Sequence, residues 1–153
     1  MATRRFERVE VDNVRLATVF AVLVVALSCS ALPGCSRGGS ELDGTQWKLI
    51  GWSVSSIDPA QIMITAAFAD GQVSGNGGVN HYSGSFRPGR DRAIALGPFV
   101  RTEMAGAEPA MRAEGAYLTL LGQARSYRVE AGRLTLFDAG GNEVLSFAAV
   151  PAL

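Results

Sequence analysis

The stretch QIMITAAFADGQVSG, residues 61–75, decides how this chain folds. Ile62, Ile64, Ala66 and Phe68 recur at every second position, the period of a strand that buries one face. Asp70-Gly71 follows, a pair suited to the two-residue turn in which both residues take positive φ. The chain then returns as QVSG, so an antiparallel hairpin is expected.

Neighbouring segments extend it. Upstream, QWKLIGW (46–52) sets Trp47 and Leu49 on one face and Lys48 and Ile50 on the other. Downstream, Gly75, Gly77 and Gly78 bend the chain, and strands are expected near 82–87 and 92–97, joined across Pro88-Gly89. A helix begins at Glu108-Pro109, where proline costs no hydrogen bond. Met111, Glu114, Tyr117, Leu118 and Leu121 recur along it at three- and four-residue spacing, and Gly122 is the expected left-handed cap. SYRVE, RLTLFD and EVLSFAAV then make a three-strand meander, turning at Ala131-Gly132 and at Ala139-Gly140-Gly141-Asn142. The loops are too short for parallel crossovers. The fold class is α+β, mostly β: about eight antiparallel strands and one packed helix.

The N-terminal segment has a different character. Residues 16–32, LATVFAVLVVALSCSAL, are apolar except for Thr18, Ser28, Cys29 and Ser30, and Pro33-Gly34 stops the run. It falls short of the ~20 apolar residues of a spanning helix and ends in small residues, as a secretory signal does. Arg4, Arg5, Arg8 and Arg15 precede it, opposed by Glu7, Glu10 and Asp12. Leu32-Pro33-Gly34-Cys35 resembles a bacterial lipobox, although Pro33 is not the usual small residue there. That resemblance implies a diacylglycerol thioether on Cys35, cleavage before it and acylation of the new N-terminus. The competing reading is an ordinary secreted chain cut near Gly34, with Cys35 a free thiol. On the lipobox reading residues 1–34 are the signal, 35–41 a lipid tether and 42–149 the domain. Cys29 leaves with the signal, so the domain holds no disulfide, thiolate metal site or CxxC pair.

Charge excludes further classes. From Cys35 onward, ten Lys and Arg face eleven Asp and Glu, so no basic surface argues for nucleic acid. His81 is the one histidine, which rules out a His-rich metal site. Ser74 or Ser83 could be combined with His81 on paper. No G-x-S-x-G elbow exists, however, and His81 reads as an exposed hairpin residue. Gly75-Asn76-Gly77-Gly78 lacks the Gly-Lys-Ser/Thr ending of a phosphate loop and reads as a bend in the sheet. Trp47 and Trp52 read as core and sheet-face residues rather than a stacking platform. Glu103, Glu108 and Glu114 read as helix-start charge and solvated face.

Four motifs, in order, resemble META domains, the HslJ-like bacterial envelope proteins. They are Leu42-Asp43-Gly44-Thr45-Gln46-Trp47-Lys48-Leu49; Val73-Ser74-Gly75 with Gly78-Val79-Asn80-His81-Tyr82-Ser83-Gly84; Thr102-Glu103-Met104-Ala105-Gly106; and Leu134-Thr135-Leu136-Phe137-Asp138 with Gly141 and Phe147. The family's Gly-Cys-Asn and Thr-x-Met-Ala-Cys cysteines are replaced by Val79 and Gly106, so no disulfide is expected. The resemblance implies a strongly curved antiparallel sheet, a half-barrel, with one helix packed on it. It also implies a role in envelope stress or antibiotic tolerance.

The resulting expectation is a non-enzymatic, lipid-anchored envelope protein without metal or cofactor. It would be a monomer on the outer membrane or the outer face of the cytoplasmic membrane, with an envelope protein or an apolar ligand as partner. The alternative is a binding module that holds a lipid or other apolar ligand in the curved sheet, in which case Phe68 and Phe86 would govern affinity.

Overall fold

The computed structural model describes residues 40–54 and 58–151. The signal, Cys29 and Cys35 therefore lie outside the described residues. The domain runs β1 (Thr45–Trp52), β2 (Thr65–Ala69), β3 (Gln72–Asn76), β4 (His81–Pro88), β5 (Ile94–Arg101), helix α1 (Glu108–Gln123), β6 (Ser126–Glu130), β7 (Arg133–Phe137) and β8 (Glu143–Ala149). All eight strands form one antiparallel sheet in the order β5-β4-β3-β2-β1-β8-β7-β6.

The opening hairpin forms as expected. Ala69 pairs with Gln72, and Asp70 and Gly71 take φ of 52° and 73°. β-Bulges at Leu49/Gly51, Gly84/Phe86 and Leu136/Phe137 tighten the curl of the sheet. A close backbone approach fixes Gly75: a Cβ there would fall 2.0 Å from the Thr65 carbonyl oxygen. The result is a curled half-barrel. Its edge strands meet at one corner, where Ala93 bridges Ser126 and the Ile94 N–H donates to the Arg125 carbonyl at 2.9 Å.

The buried face carries Trp47, Leu49, Phe68, Val73, Tyr82, Phe86, Leu134, Leu136, Leu145 and Phe147. α1 contributes Ala113, Tyr117, Leu120 and Leu121 to the same core, and Tyr117 sits edge-on to both Tyr82 and Phe147. Each large apolar side chain buried this way contributes roughly 1.5–3 kcal/mol before conformational entropy is subtracted.

Several boundaries differ from expectation. The link between β4 and β5 is not Pro88-Gly89 alone. It is a turn over Arg90–Arg92, closed by the Gly89 N–H donating to the Ala93 carbonyl, so β5 starts later and runs to Arg101. α1 passes through Gly122 without a left-handed residue; Ala124 closes it, and the Arg125 guanidinium donates to the Gly122 and Ala124 carbonyls. Met111 faces solvent rather than the core.

Candidate functional site

The motif residues converge where the β3–β4 bend, the end of β5 and α1 meet. In the bend the Gly77 N–H donates to the Asn80 carbonyl at 2.7 Å, and the Gly78 N–H donates to Asn76 Oδ1 at 2.6 Å. Gly78 has φ 122°, a conformation side chains resist. Beyond it the N–H groups of Val79 and Asn80 both donate to Glu114 Oε2, at 3.2 and 2.6 Å. Successive backbone N–H groups aimed at one point cradle an anion. Here that anion is the protein's own carboxylate.

Glu114 Oε1 is filled as well, by Asn80 Nδ2 at 3.0 Å and Arg101 Nη1 at 2.8 Å. The residue is 1% exposed, so its reading as part of a solvated face is corrected. The reason lies in the helix. Glu114 stands three residues before Tyr117 and seven before Leu121, on the face that packs inward, where the bend's N–H groups need an acceptor. Burial pushes its carboxyl up. The hydrogen bonds from Asn80 and Val79 and the charge of Arg101 together outweigh burial and hold it below the ordinary carboxylate range.

Asn80 joins the second motif to this carboxylate. Its Oδ1 accepts from Thr102 Oγ1 at 2.8 Å and from the Met104 N–H at 2.7 Å, while Nδ2 also reaches the Met104 carbonyl at 3.4 Å. Asn80 and Thr102-Glu103-Met104 are thus two halves of one joint. Val79 and Gly106 lie beside it in direct contact. Sequence reading placed Asn80 in a motif without giving it a role. Its available signal was an asparagine in a glycine-rich bend.

The remaining candidates are dispersed. His81 is exposed on the opposite, convex face, and among the described residues only its backbone is paired, with Asn76 and Thr102. Ser74 and Ser83 are register partners on that face, and neither hydroxyl hydrogen-bonds the imidazole. His81, Ser83, Val100 and Thr102 help to line an open depression of about 430 Å³. Phe68 and Phe86 pack edge-to-face at 5.0 Å inside the core. Trp47 is buried, its indole N–H donating to Thr45 Oγ1, and Trp52 is half-buried at the end of β1. Glu103 and Glu108 are exposed.

A buried phenol pair completes the polar interior. The Tyr82 O–H donates to the Thr65 carbonyl at 3.0 Å, so the Tyr117 O–H, 2.6 Å away, donates to Tyr82. Burial pushes both phenols well above their ordinary value, which keeps them neutral. Among the described residues no group of three His, Cys, Asp or Glu side chains could hold a metal ion.

Solved structures share this architecture. A solution structure of a protein from Burkholderia xenovorans is 26% identical with a TM-score of 0.60, covering 72% of this chain and 85% of that one. A crystal structure of a DUF4847 family protein from Bacteroides vulgatus is 16% identical with a TM-score of 0.51, covering 71% and 94%, and supports the fold alone. No curated protein matches the chain. The META domain profile matches residues 40–151, the span that contains the whole half-barrel and the Asn80–Glu114 joint, and the chain belongs to the META domain family.

Proposed function

We propose that this chain is a non-enzymatic, lipid-anchored protein of the bacterial envelope, acting in envelope stress or antibiotic tolerance through its META domain. One observation carries the non-enzymatic reading: both oxygens of Glu114 are filled by donors of the protein itself. The one buried carboxylate among the described residues holds the fold together and has no acceptor site left for a substrate. Among the described residues His81 has neither a hydrogen-bonded nucleophile nor an orienting carboxylate, the partners that mark an activated nucleophile. Anchoring rests on Leu32-Pro33-Gly34-Cys35, which a short tether separates from the domain.

The competing reading, an apolar ligand held in the curved sheet, finds Phe68 and Phe86 already packed on each other there. Cys35→Ala tests the proposal in cells. It should leave an uncleaved or wrongly cut chain that no longer partitions with detergent and no longer supports the envelope phenotype. Normal membrane retention of a correctly cut Cys35→Ala chain overturns it.

A further inference from the structure

Ser40, Glu41 and Leu42, the first described residues after Cys35, are fastened at one corner of the half-barrel. Ser40 Oγ is 3.3 Å from the Tyr127 hydroxyl, the Leu42 N–H donates to Ser40 Oγ, and Glu41 pairs with Arg92 at 3.5 Å. Leu42 itself is fully buried. Five residue steps separate Ser40 from Cys35, and fully extended they span no more than ~18 Å. This is the corner where β5 meets β6, and Arg90, Arg92, Arg125 and Arg128 are all exposed around it. Arg92, Tyr127, Arg128 and Phe137 help to line an open depression of about 350 Å³. In the Arg90–Arg92 turn Asp91 and Arg92 take φ of 54° and 60°, a left-handed conformation that an arginine side chain resists.

Resting on the anchoring proposed above, we infer that this arginine-lined corner is the face the domain presents to the bilayer, meeting the phosphates of lipid headgroups. Tether length carries the assignment. Glu41 and Glu130 pair with Arg92 and Arg128, and Asp91 and Asp138 stand nearby, so the corner offers donors rather than a large net charge. Arg90 forms no ion pair with a described residue, and a guanidinium suits a phosphate through its planar fork of donors.

The test uses the full chain, processed in its own cells, purified and placed in phosphatidylcholine vesicles with about 30% phosphatidylglycerol. The vesicles carry a nitroxide on the headgroup. Amides of residues 90–92 and 125–128 should be broadened at least about tenfold more than those of 103–108, which lie beyond the far end of β5, ~25 Å away. Arg90→Glu with Arg128→Glu should shrink that contrast several-fold while the thermal midpoint holds. A chain without lipid on Cys35 removes the anchor and the inference with it. A lipidated chain broadened equally at both ends, or a variant with undiminished contrast, overturns the docking face and leaves the anchor standing.

Discussion

A Cβ built on Gly106 would stand 3.3 Å from the Val79 Cβ and 2.7 Å from both Val79 methyl carbons. Disulfide-bonded residues hold their Cβ atoms at about 3.5–4.5 Å. The two positions at which the META motifs carry cysteines are therefore neighbours here, and the Val79 methyls occupy the space beside Gly106. Gly106 also has an ordinary φ, so no backbone barrier opposes a side chain there.

Val79→Cys with Gly106→Cys should oxidise spontaneously in air. Closing a loop of about 28 residues should add about 3.6 kcal/mol, less any strain, and the gain should vanish with reductant. Gly106→Ala alone should cost about 1–2 kcal/mol, because its methyl would fall 2.7 Å from both methyl carbons of Val79, which must shift. Thiol counting that finds both cysteines free after oxidation would contradict the placement.

Glu114→Ala should cost about 3 kcal/mol in chemical denaturation, since it strips the acceptor from two backbone N–H groups and from the Asn80 amide. The acid limb supplies a second readout. The folded-state carboxyl lies below its unfolded value, so the unfolded chain binds more protons between the two values. Its contribution is fully present above the ordinary carboxylate range and is lost as pH falls through the lowered folded value. Glu114→Gln should flatten stability against pH in that acidic window. A variant that keeps the wild-type acid slope would show the joint to be incidental.

Several strands were legible because β1, β2 and β6 alternate apolar and polar faces and because pairs such as Asp70-Gly71 and Ala131-Gly132 separate neighbours. The joint was less legible. Glu114 sat in the apolar stripe of α1, yet a carboxylate is read as solvated by default. Two of its four donors were backbone N–H groups, which every residue but proline carries and no sequence pattern marks. The glycine-rich bend did contain an anion cradle, but its anion came from a helix more than thirty residues away. β5 slid because Arg90–Arg92 turned instead of pairing, through left-handed conformations that nothing in Asp91 or Arg92 announces.

Ala131 offers a stabilising change. It takes φ 49° in the two-residue turn between Glu130 and Arg133, where alanine pays a steric cost that asparagine tolerates better. Ala131→Asn should raise the urea midpoint, by about 0.5–1 kcal/mol in free energy. An unchanged or lowered midpoint would mean that the turn is not left-handed in solution.

His81→Ala should be silent in both stability and phenotype. The side chain is exposed and accepts or donates no hydrogen bond among the described residues, so the change should stay within about 0.5 kcal/mol. A phenotype as severe as loss of the gene, with an unmoved thermal midpoint, would restore a catalytic or ligand role to this residue.

The most direct test of lipid anchoring is the intact mass of the protein extracted from its own membrane. The account predicts a chain beginning at Cys35 that carries a diacylglycerol thioether and an acylated N-terminus, with fragments placing all added mass on the first residue. A chain with a free Cys35 thiol, or one cut elsewhere and recovered in the soluble fraction, would contradict it.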